Sequence, residues 1–189
     1  MTDFFARIEK ELDGLAGASL SRLPKRKYDM AAVRANWLAV LEDYPESNFH
    51  FPRFPDECVE VAWQGGRYLA FGTSGEGVLG EAADDTIWLL NPVEEVFDEE
   101  SIFVNSNSGA FVRCYCLFMA AVFTAKGYPG DLKQHMPAIT DPLRDQLTDA
   151  DPPAMAEPAF WSQLHYMLDD LLFPLAVPIL DYLKTGRMG

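Results

Sequence analysis

Apolar residues recur at helical spacing at the start of the chain. They follow Asp3, a residue type that caps helices, and form one stripe of Phe4, Phe5, Ile8, Leu12 and Leu15. The pattern predicts a helix that ends near Gly14 or Gly17, and a loop over residues 18–28. A second helix is predicted after Asp29, ending at Pro45.

From Cys58 the period of the pattern changes from helical spacing to two, which is typical of strands. The predicted strands are CVEVAW (58–63), RYLAF (67–71), IWLL (87–90), VEEVF (93–97) and IFV (102–104). Gly65-Gly66 predicts a tight turn between the first two. Short strands separated by tight turns indicate an antiparallel meander over residues 58–104.

The glycine-rich stretch GTSGEGVLG (72–80) is predicted to be a flexible turn rather than a phosphate-binding loop. It lacks the Gly-Lys-Ser/Thr ending of such loops, and no helix clearly follows it. Glu76 and Glu81 would also repel a phosphate.

After Val104 the pattern becomes helical, to about Ala125, with Gly127 just past the end. Asp141-Pro142 predicts a new helix start, with a cap before a first-turn proline. The last strong helix is predicted within residues 152–173, with Pro158 in its first turn. We therefore expect one domain over residues 1–189, with an N-terminal helical portion (1–57), a meander (58–104) and a second helical portion (105–189).

Cys114 and Cys116 cannot bind one metal from the same helix, because residues two apart point roughly 200° from each other. The helix around them is apolar on nearly every side, which predicts that both thiols belong to the core. Residues 105–108 supply the short polar side chains that cap a helix start.

No metal-ligand spacing links His50, His135 and His165, so neither a metal site nor a cofactor is predicted. A catalytic pair could form only if Cys58 meets a distant histidine in the fold. A hydrolase or transferase of that kind is the rival interpretation. Three cysteines and no visible secretory signal favour a reducing cytoplasm.

Charge is the unusual property of this chain, with a net value of −14. It disfavours binding to nucleic acid and to anionic membranes, and favours a basic protein partner. No Lys or Arg occurs in residues 68–111. Seven acids in this stretch are the candidate partner-binding residues: Asp84, Asp85, Glu94, Glu95, Asp98, Glu99 and Glu100.

Three stretches together resemble the SUKH superfamily, and within it the fourth SUKH family of bacterial immunity proteins. YLAFG (68–72) is similar to that family's strand ending in glycine, and VNSNSGAF (104–111) to its strand-to-helix junction. DPPAMAEPAFWSQLHYML (151–168) resembles its aspartate-proline segment followed by a tryptophan-bearing helix. The junction departs from the pattern at Asn107, where a second serine is common.

The resemblance implies an α+β fold, with an antiparallel sheet packed by helices, in a cytoplasmic protein without catalytic activity. It also implies that the protein neutralises a toxin, often a nuclease or a deaminase. Asn105, Ser106, Phe111 and Trp161 carry over as determinants of the fold only. A regulatory scaffold of the same superfamily remains the alternative, and the choice between monomer and homodimer stays open.

Overall fold

The structure is a computed structural model that describes residues 3–23, 41, 49–51, 59–74, 77–92, 99–129 and 131–171. The chain divides into two compact units, residues 1–112 and residues 113–189. The single domain expected over residues 1–189 stays a prediction.

The first unit contains a six-stranded antiparallel sheet whose strands are neighbours in chain order. The strands are β1 Ser19–Arg22, β2 Val59–Trp63, β3 Gly66–Ser74, β4 Gly77–Ala82, β5 Ile87–Leu90 and β6 Ser101–Asn105. The predicted antiparallel meander is therefore confirmed. The predicted strand at 93–97 lies outside the described residues.

The hairpin between β2 and β3 turns one residue earlier than predicted. Trp63 pairs with Gly66, so the two-residue loop is Gln64-Gly65. Both loop residues have positive φ, 47° and 78°, as a type I′ turn requires. The turn therefore lies one residue before the Gly65-Gly66 pair that predicted it, because Gln64 takes the left-handed conformation and Gly66 is the first residue of β3.

Two segments predicted as loops are strands. Ser19–Arg22 pairs with β2 as the edge strand β1, so the N-terminal portion is not purely helical. Gly77–Ala82 forms β4, which overlaps the C-terminal part of the stretch 72–80 predicted to be a flexible turn. The prediction failed because β4 lies between two other strands and is buried over most of its length, which removes the apolar–polar alternation.

The helix α1, Phe4–Glu11, packs on one face of this sheet, as its apolar stripe predicts. The Asp3 carboxylate caps it by accepting from the Phe5 N–H at 3.0 Å. At the other end, the Asn91 side chain donates to the Glu11 carbonyl at 2.6 Å. The buried cluster on this face comprises Phe4, Ile8, Leu12, Leu15, Val59, Val61, Trp63, Ala70, Val78 and Leu90. The predicted helix after Asp29 lies outside the described residues.

A second group of side chains in this unit is aromatic: Phe49, Phe71 and Phe111 are buried, and Phe51 is partly exposed. Phe51 stacks at 6.0 Å on Phe49 and at 6.4 Å on Phe71. Phe111 meets the Phe71 ring edge-on at 5.2 Å. A bridge between His50 and Thr73, with two backbone hydrogen bonds of 2.9 Å, ties this cluster to β3.

The helix α2, Ser108–Lys126, begins in the first unit and continues into the second. The second unit further contains α3, Leu132–Ala150, a short 3₁₀ helix, Pro152–Met155, and α4, Phe160–Asp169. Within this unit the Phe118 and Trp161 rings lie 5.7 Å apart, which packs α2 against α4.

The predicted helix start at Asp141-Pro142 is wrong, because both residues lie inside α3. The helix starts ten positions earlier, where the Asp131 carboxylate accepts from the Gln134 N–H at 3.4 Å. A buried face of Leu132, Met136, Thr140, Leu143 and Leu147 holds α3 together across its two prolines. Tertiary packing thus outweighs a local capping signal, even though an interior proline costs about 3 kcal/mol.

The last helix also begins later than predicted. Pro158 precedes α4 by two positions, and the Ser162 hydroxyl accepts from the Ala159 N–H at 3.2 Å at its start. The side chains that α4 buries are Phe160, Trp161, Leu164, His165 and Leu168.

Candidate protein-binding surface

The predicted acids fall at different places along the sheet of the first unit. Asp84 and Asp85 lie in the turn between β4 and β5, and Glu99 and Glu100 lie just before β6; all four are exposed. Glu94, Glu95 and Asp98 lie outside the described residues.

The two described pairs of acids sit at opposite ends of β5. This strand has four residues, so it separates them by about 13 Å along its axis. That distance exceeds the Debye length at 0.1 M salt, about 10 Å, so repulsion between the pairs is screened in solution. The two described pairs of acids therefore lie at separate places on the surface.

The turn that carries Asp84 is held by hydrogen bonds. Asp84 Oδ1 accepts from the Thr86 hydroxyl at 2.6 Å and from the Thr86 N–H at 3.2 Å. These bonds to the charged form lower the pKa of the Asp84 carboxyl. The Ala82 N–H closes the turn by donating to the Thr86 carbonyl at 2.8 Å, and Asp85 has a φ of 69°. Asp84 is thus a fixed, exposed anion.

The Glu100 side chain bonds a residue of the β2–β3 hairpin. Its Oε2 accepts from Gln64 Nε2 at 3.1 Å, which links the start of β6 to the β2–β3 hairpin. The Glu100 carbonyl accepts from the Asn91 N–H at 2.9 Å. The second pair of acids is therefore anchored on ordered backbone as well.

Aromatic side chains lie beside the Asp84 turn, and sequence reasoning did not identify them. Trp88 donates its indole N–H to the Thr86 hydroxyl at 2.9 Å, and its ring meets Phe103 edge-on at 5.7 Å. Burial and the charge of Asp84 raise the pKa of the Tyr68 hydroxyl. The detectable signal was Asp-x-Thr after a strand, which forms such turns, followed by Trp88 two positions on.

Basic side chains on the described strands already pair with acids elsewhere. Arg22 bonds Asp3 at 2.5 Å, and Arg67 bonds Glu60 at 3.1 Å. The Arg22–Asp3 pair is exposed on both sides and contributes little to stability, whereas in the other pair Arg67 is exposed and Glu60 is partly buried.

The described cysteines and histidines each have a local structural setting. Cys114 is buried as predicted, but Cys116 is exposed, so its assignment to the core is wrong. The 200° between them on the helix places the two thiols on different sides. His165 is buried and donates from Nε2 to the Thr140 carbonyl at 2.8 Å, whereas His135 stacks on Tyr128.

Cys58, the thiol of the rival enzyme interpretation, lies outside the described residues. Within the described ranges, no group of three or more His, Cys, Asp or Glu side chains could hold a metal ion. One described helix, α2, is long and apolar enough to cross a membrane, a test that buried core helices also pass.

Three residues expected to determine the fold are fully buried: Asn105, Phe111 and Trp161. Ser106 is half-buried. The cap at the start of α2 comes from Asn107, whose Oδ1 accepts from the Ala110 N–H at 2.9 Å. Since asparagine caps helices as well as serine does, the departure at this position preserves the junction.

These features define an α+β protein that contains a six-stranded antiparallel sheet and helices on its N- and C-terminal sides along the chain. The family model described as SUKH-4 immunity protein matches residues 8–169. The chain belongs to this family, as the resemblance predicted, and the family supports an immunity role. No curated protein and no solved structure gave a significant match.

Proposed function

We propose that this protein binds a toxin domain of the nuclease or deaminase type in the cytoplasm and neutralises it without catalysis. The observation that carries the proposal is the match to the SUKH-4 immunity protein family over residues 8–169. A toxin partner follows from that family. The type of toxin and the binding face rest on the charge and geometry of the chain.

The acidic surface supports binding of a basic partner. Toxins that act on nucleic acid hold its phosphates with Lys and Arg, so their active surfaces are positive. This chain has a net charge of −14 and presents Asp84, Asp85, Glu99 and Glu100 on fixed turns of one sheet. A surface of this sign would attract the toxin, occupy the region that holds nucleic acid, and repel nucleic acid and anionic membranes.

Co-expression with the toxin domain encoded beside its gene tests the immunity role. We expect the full chain to restore growth and to co-purify with that toxin domain. Growth arrest despite equal expression, together with no co-purification, would contradict the proposal and leave the regulatory scaffold as the better interpretation.

Matched charge variants test the acidic surface. Asp84→Asn, Glu99→Gln and Glu100→Gln together remove three exposed charges with little change of shape. We expect the association rate at low salt to fall about 3- to 10-fold, since steering by charge raises such rates. Its dependence on salt should weaken as well.

The control variant removes three exposed charges from α3 through Asp141→Asn, Asp145→Asn and Asp149→Asn. Both variants have the same net charge, so a difference between them reports position rather than total charge. If the control slows association as much as the sheet variant does, the binding face does not include these sheet acids.

A further inference from the structure

We propose that Tyr68, Trp88 and Phe103 form an aromatic platform that, together with Asp84, receives an arginine side chain of the toxin. The proposal rests on the proposed function and names the group recognised at one end of the acidic surface. Each of the three aromatic side chains is partly exposed.

The strand register places the three rings on one face of the sheet. Tyr68 pairs with Ala82, and Trp88 pairs with both Gly80 and Phe103. Directly paired residues share a face, and so do Gly80 and Ala82, which are two apart on β4. All three aromatic side chains therefore lie on the face that also carries α1.

The strand that separates Tyr68 from Trp88 carries only small side chains on this face. The β4 residues between the two rings are Gly80 and Ala82. The base of the Tyr68 side chain lies against Gly80, where a Cβ would be 3.0 Å from the Tyr68 Cβ, and its ring extends along its own strand over Gly66, where a Cβ would be 3.0 Å from the Tyr68 Oη. Two strand spacings, about 10 Å, separate the backbones of Tyr68 and Trp88, and no bulky side chain of β4 stands between the two rings.

Hydrogen bonds fix the platform before any partner arrives. The Thr86 hydroxyl accepts from the Trp88 indole and donates to Asp84, so one residue orients both the ring and the carboxylate. Both donors of Thr86 bond Oδ1, which leaves Oδ2 to accept from an incoming group. A site that is ordered in advance avoids much of the entropy cost of binding.

Arginine fits this arrangement better than lysine. Its planar guanidinium can stack on an aromatic face while its N–H groups bond a carboxylate. Trp, Tyr and Arg are also enriched among the residues that dominate binding energy at protein interfaces. The absence of Lys and Arg from residues 68–111 leaves the sequence around the platform without a competing cation.

The first experiment uses a defined probe and no toxin. N-acetyl-arginine methylamide is titrated into the full chain while ¹H–¹⁵N NMR follows the Trp88 indole and the Thr86 amide. We expect saturable shifts at both groups, smaller shifts with the lysine analogue, and none with the norleucine analogue. Equal shifts for arginine and norleucine, or no shift at either group, would overturn the platform.

The second experiment measures the Kd of the toxin domain for two platform variants. Asp84→Asn keeps an oxygen for Thr86 and removes the charge, whereas Trp88→Leu removes the aromatic face and keeps an apolar side chain. We expect each to weaken binding about 5- to 30-fold. The control is Tyr166→Leu, which removes an exposed tyrosine next to Asp170 in the second unit and should leave Kd within twofold.

The outcomes separate this proposal from the proposed function. If the toxin binds tightly and Asp84→Asn leaves Kd unchanged, the platform is wrong and the immunity role stands. If the wild-type chain fails to bind or neutralise the toxin, the immunity role fails, and the arginine titration alone decides whether the platform recognises a guanidinium. Circular dichroism shows whether Trp88→Leu remains folded, so that its change in Kd can be assigned to the lost ring. If Trp88→Leu unfolds, the Kd of Asp84→Asn alone tests the platform.

Discussion

Replacing Gly72 with alanine should destabilise the protein because no space exists for a methyl group. Gly72 ends the YLAFG stretch and lies at an irregularity in the pairing of β3 with β4. A Cβ at this position would lie 2.6 Å from Phe51 Cδ1 and 2.9 Å from the His50 carbonyl oxygen. Both distances are well inside van der Waals contact, so the ring and the adjoining backbone would have to move.

The expected loss of stability in Gly72→Ala follows from the displacement of Phe51 and of the backbone at His50. Insertion of a methyl group into a packed core costs about 1–3 kcal/mol. Displacement of Phe51 would also weaken its stacking on Phe71 at 6.4 Å, and such ring pairs contribute about 0.5–1.5 kcal/mol. We therefore expect a loss of about 2–3 kcal/mol in the free energy of unfolding. For a chain of this size, that lowers Tm by about 5–10 °C.

Urea denaturation followed by circular dichroism measures this loss. Gly109→Ala is the control, because its Cβ would meet only the Asn107 side-chain oxygen at 3.3 Å, and alanine favours the helix. We expect the control to change stability by less than about 1 kcal/mol. A second background, Phe51→Leu, should reduce the cost of Gly72→Ala by at least about 0.5 kcal/mol, since it removes the ring that clashes. The steric argument would be refuted if Gly72→Ala cost less than about 1 kcal/mol, as the control does. It would also be refuted if the costs of Gly72→Ala and Phe51→Leu simply added in the double variant.

Three further predictions concern single side chains. Asn107→Ala should cost about 1 kcal/mol in urea denaturation, because it removes the cap of α2, whereas Asn107→Ser should keep most of it. A thiol reagent should modify Cys116 in the folded protein and Cys114 only on unfolding, so Cys116→Ser should abolish the fast reaction of this pair. Thr86→Val should raise the pKa of Asp84 in an NMR titration. Because the folded-state pKa is lowered, the stabilisation from these bonds is present above the ordinary carboxyl pKa. It is lost as the pH falls through the folded value.

Period and turn signals were enough to predict the meander and the first helix, because both are local. Strand β4 was missed because Gly77 and Gly80 read as loop residues when considered alone. In the fold these glycines are required by close neighbours: a Cβ on Gly77 would lie 2.4 Å from the Leu90 carbonyl oxygen, and one on Gly80 would lie 3.0 Å from the Tyr68 Cβ. The residue type at such a position is set by contacts with a neighbouring strand. A short window of sequence does not include that strand, so it cannot predict the strand assignment.

The arrangement of the candidate site also depends on contacts between strands that are distant in sequence. The exposure of the acids follows from composition, but their division between the two ends of β5 depends on strand register. The platform is also a product of register, because Tyr68, Trp88 and Phe103 come from three strands that meet only in the sheet. Each ring taken alone reads as an ordinary strand residue.

Burial explains why the resemblance could identify the family and not the binding face. Its landmarks Asn105, Phe111 and Trp161 are fully buried, so substitutions there act on the fold whichever toxin is bound. The Asp84 turn is exposed, and nothing in the packing requires an acid at that position. An immunity protein that must match one toxin can therefore vary the turn at little cost in stability, whereas Tyr68 and Trp88 also pack against the buried cluster. On this reasoning we expect the determinants of partner choice in the exposed β4–β5 turn, where the Thr86 hydroxyl bonds both Asp84 and Trp88.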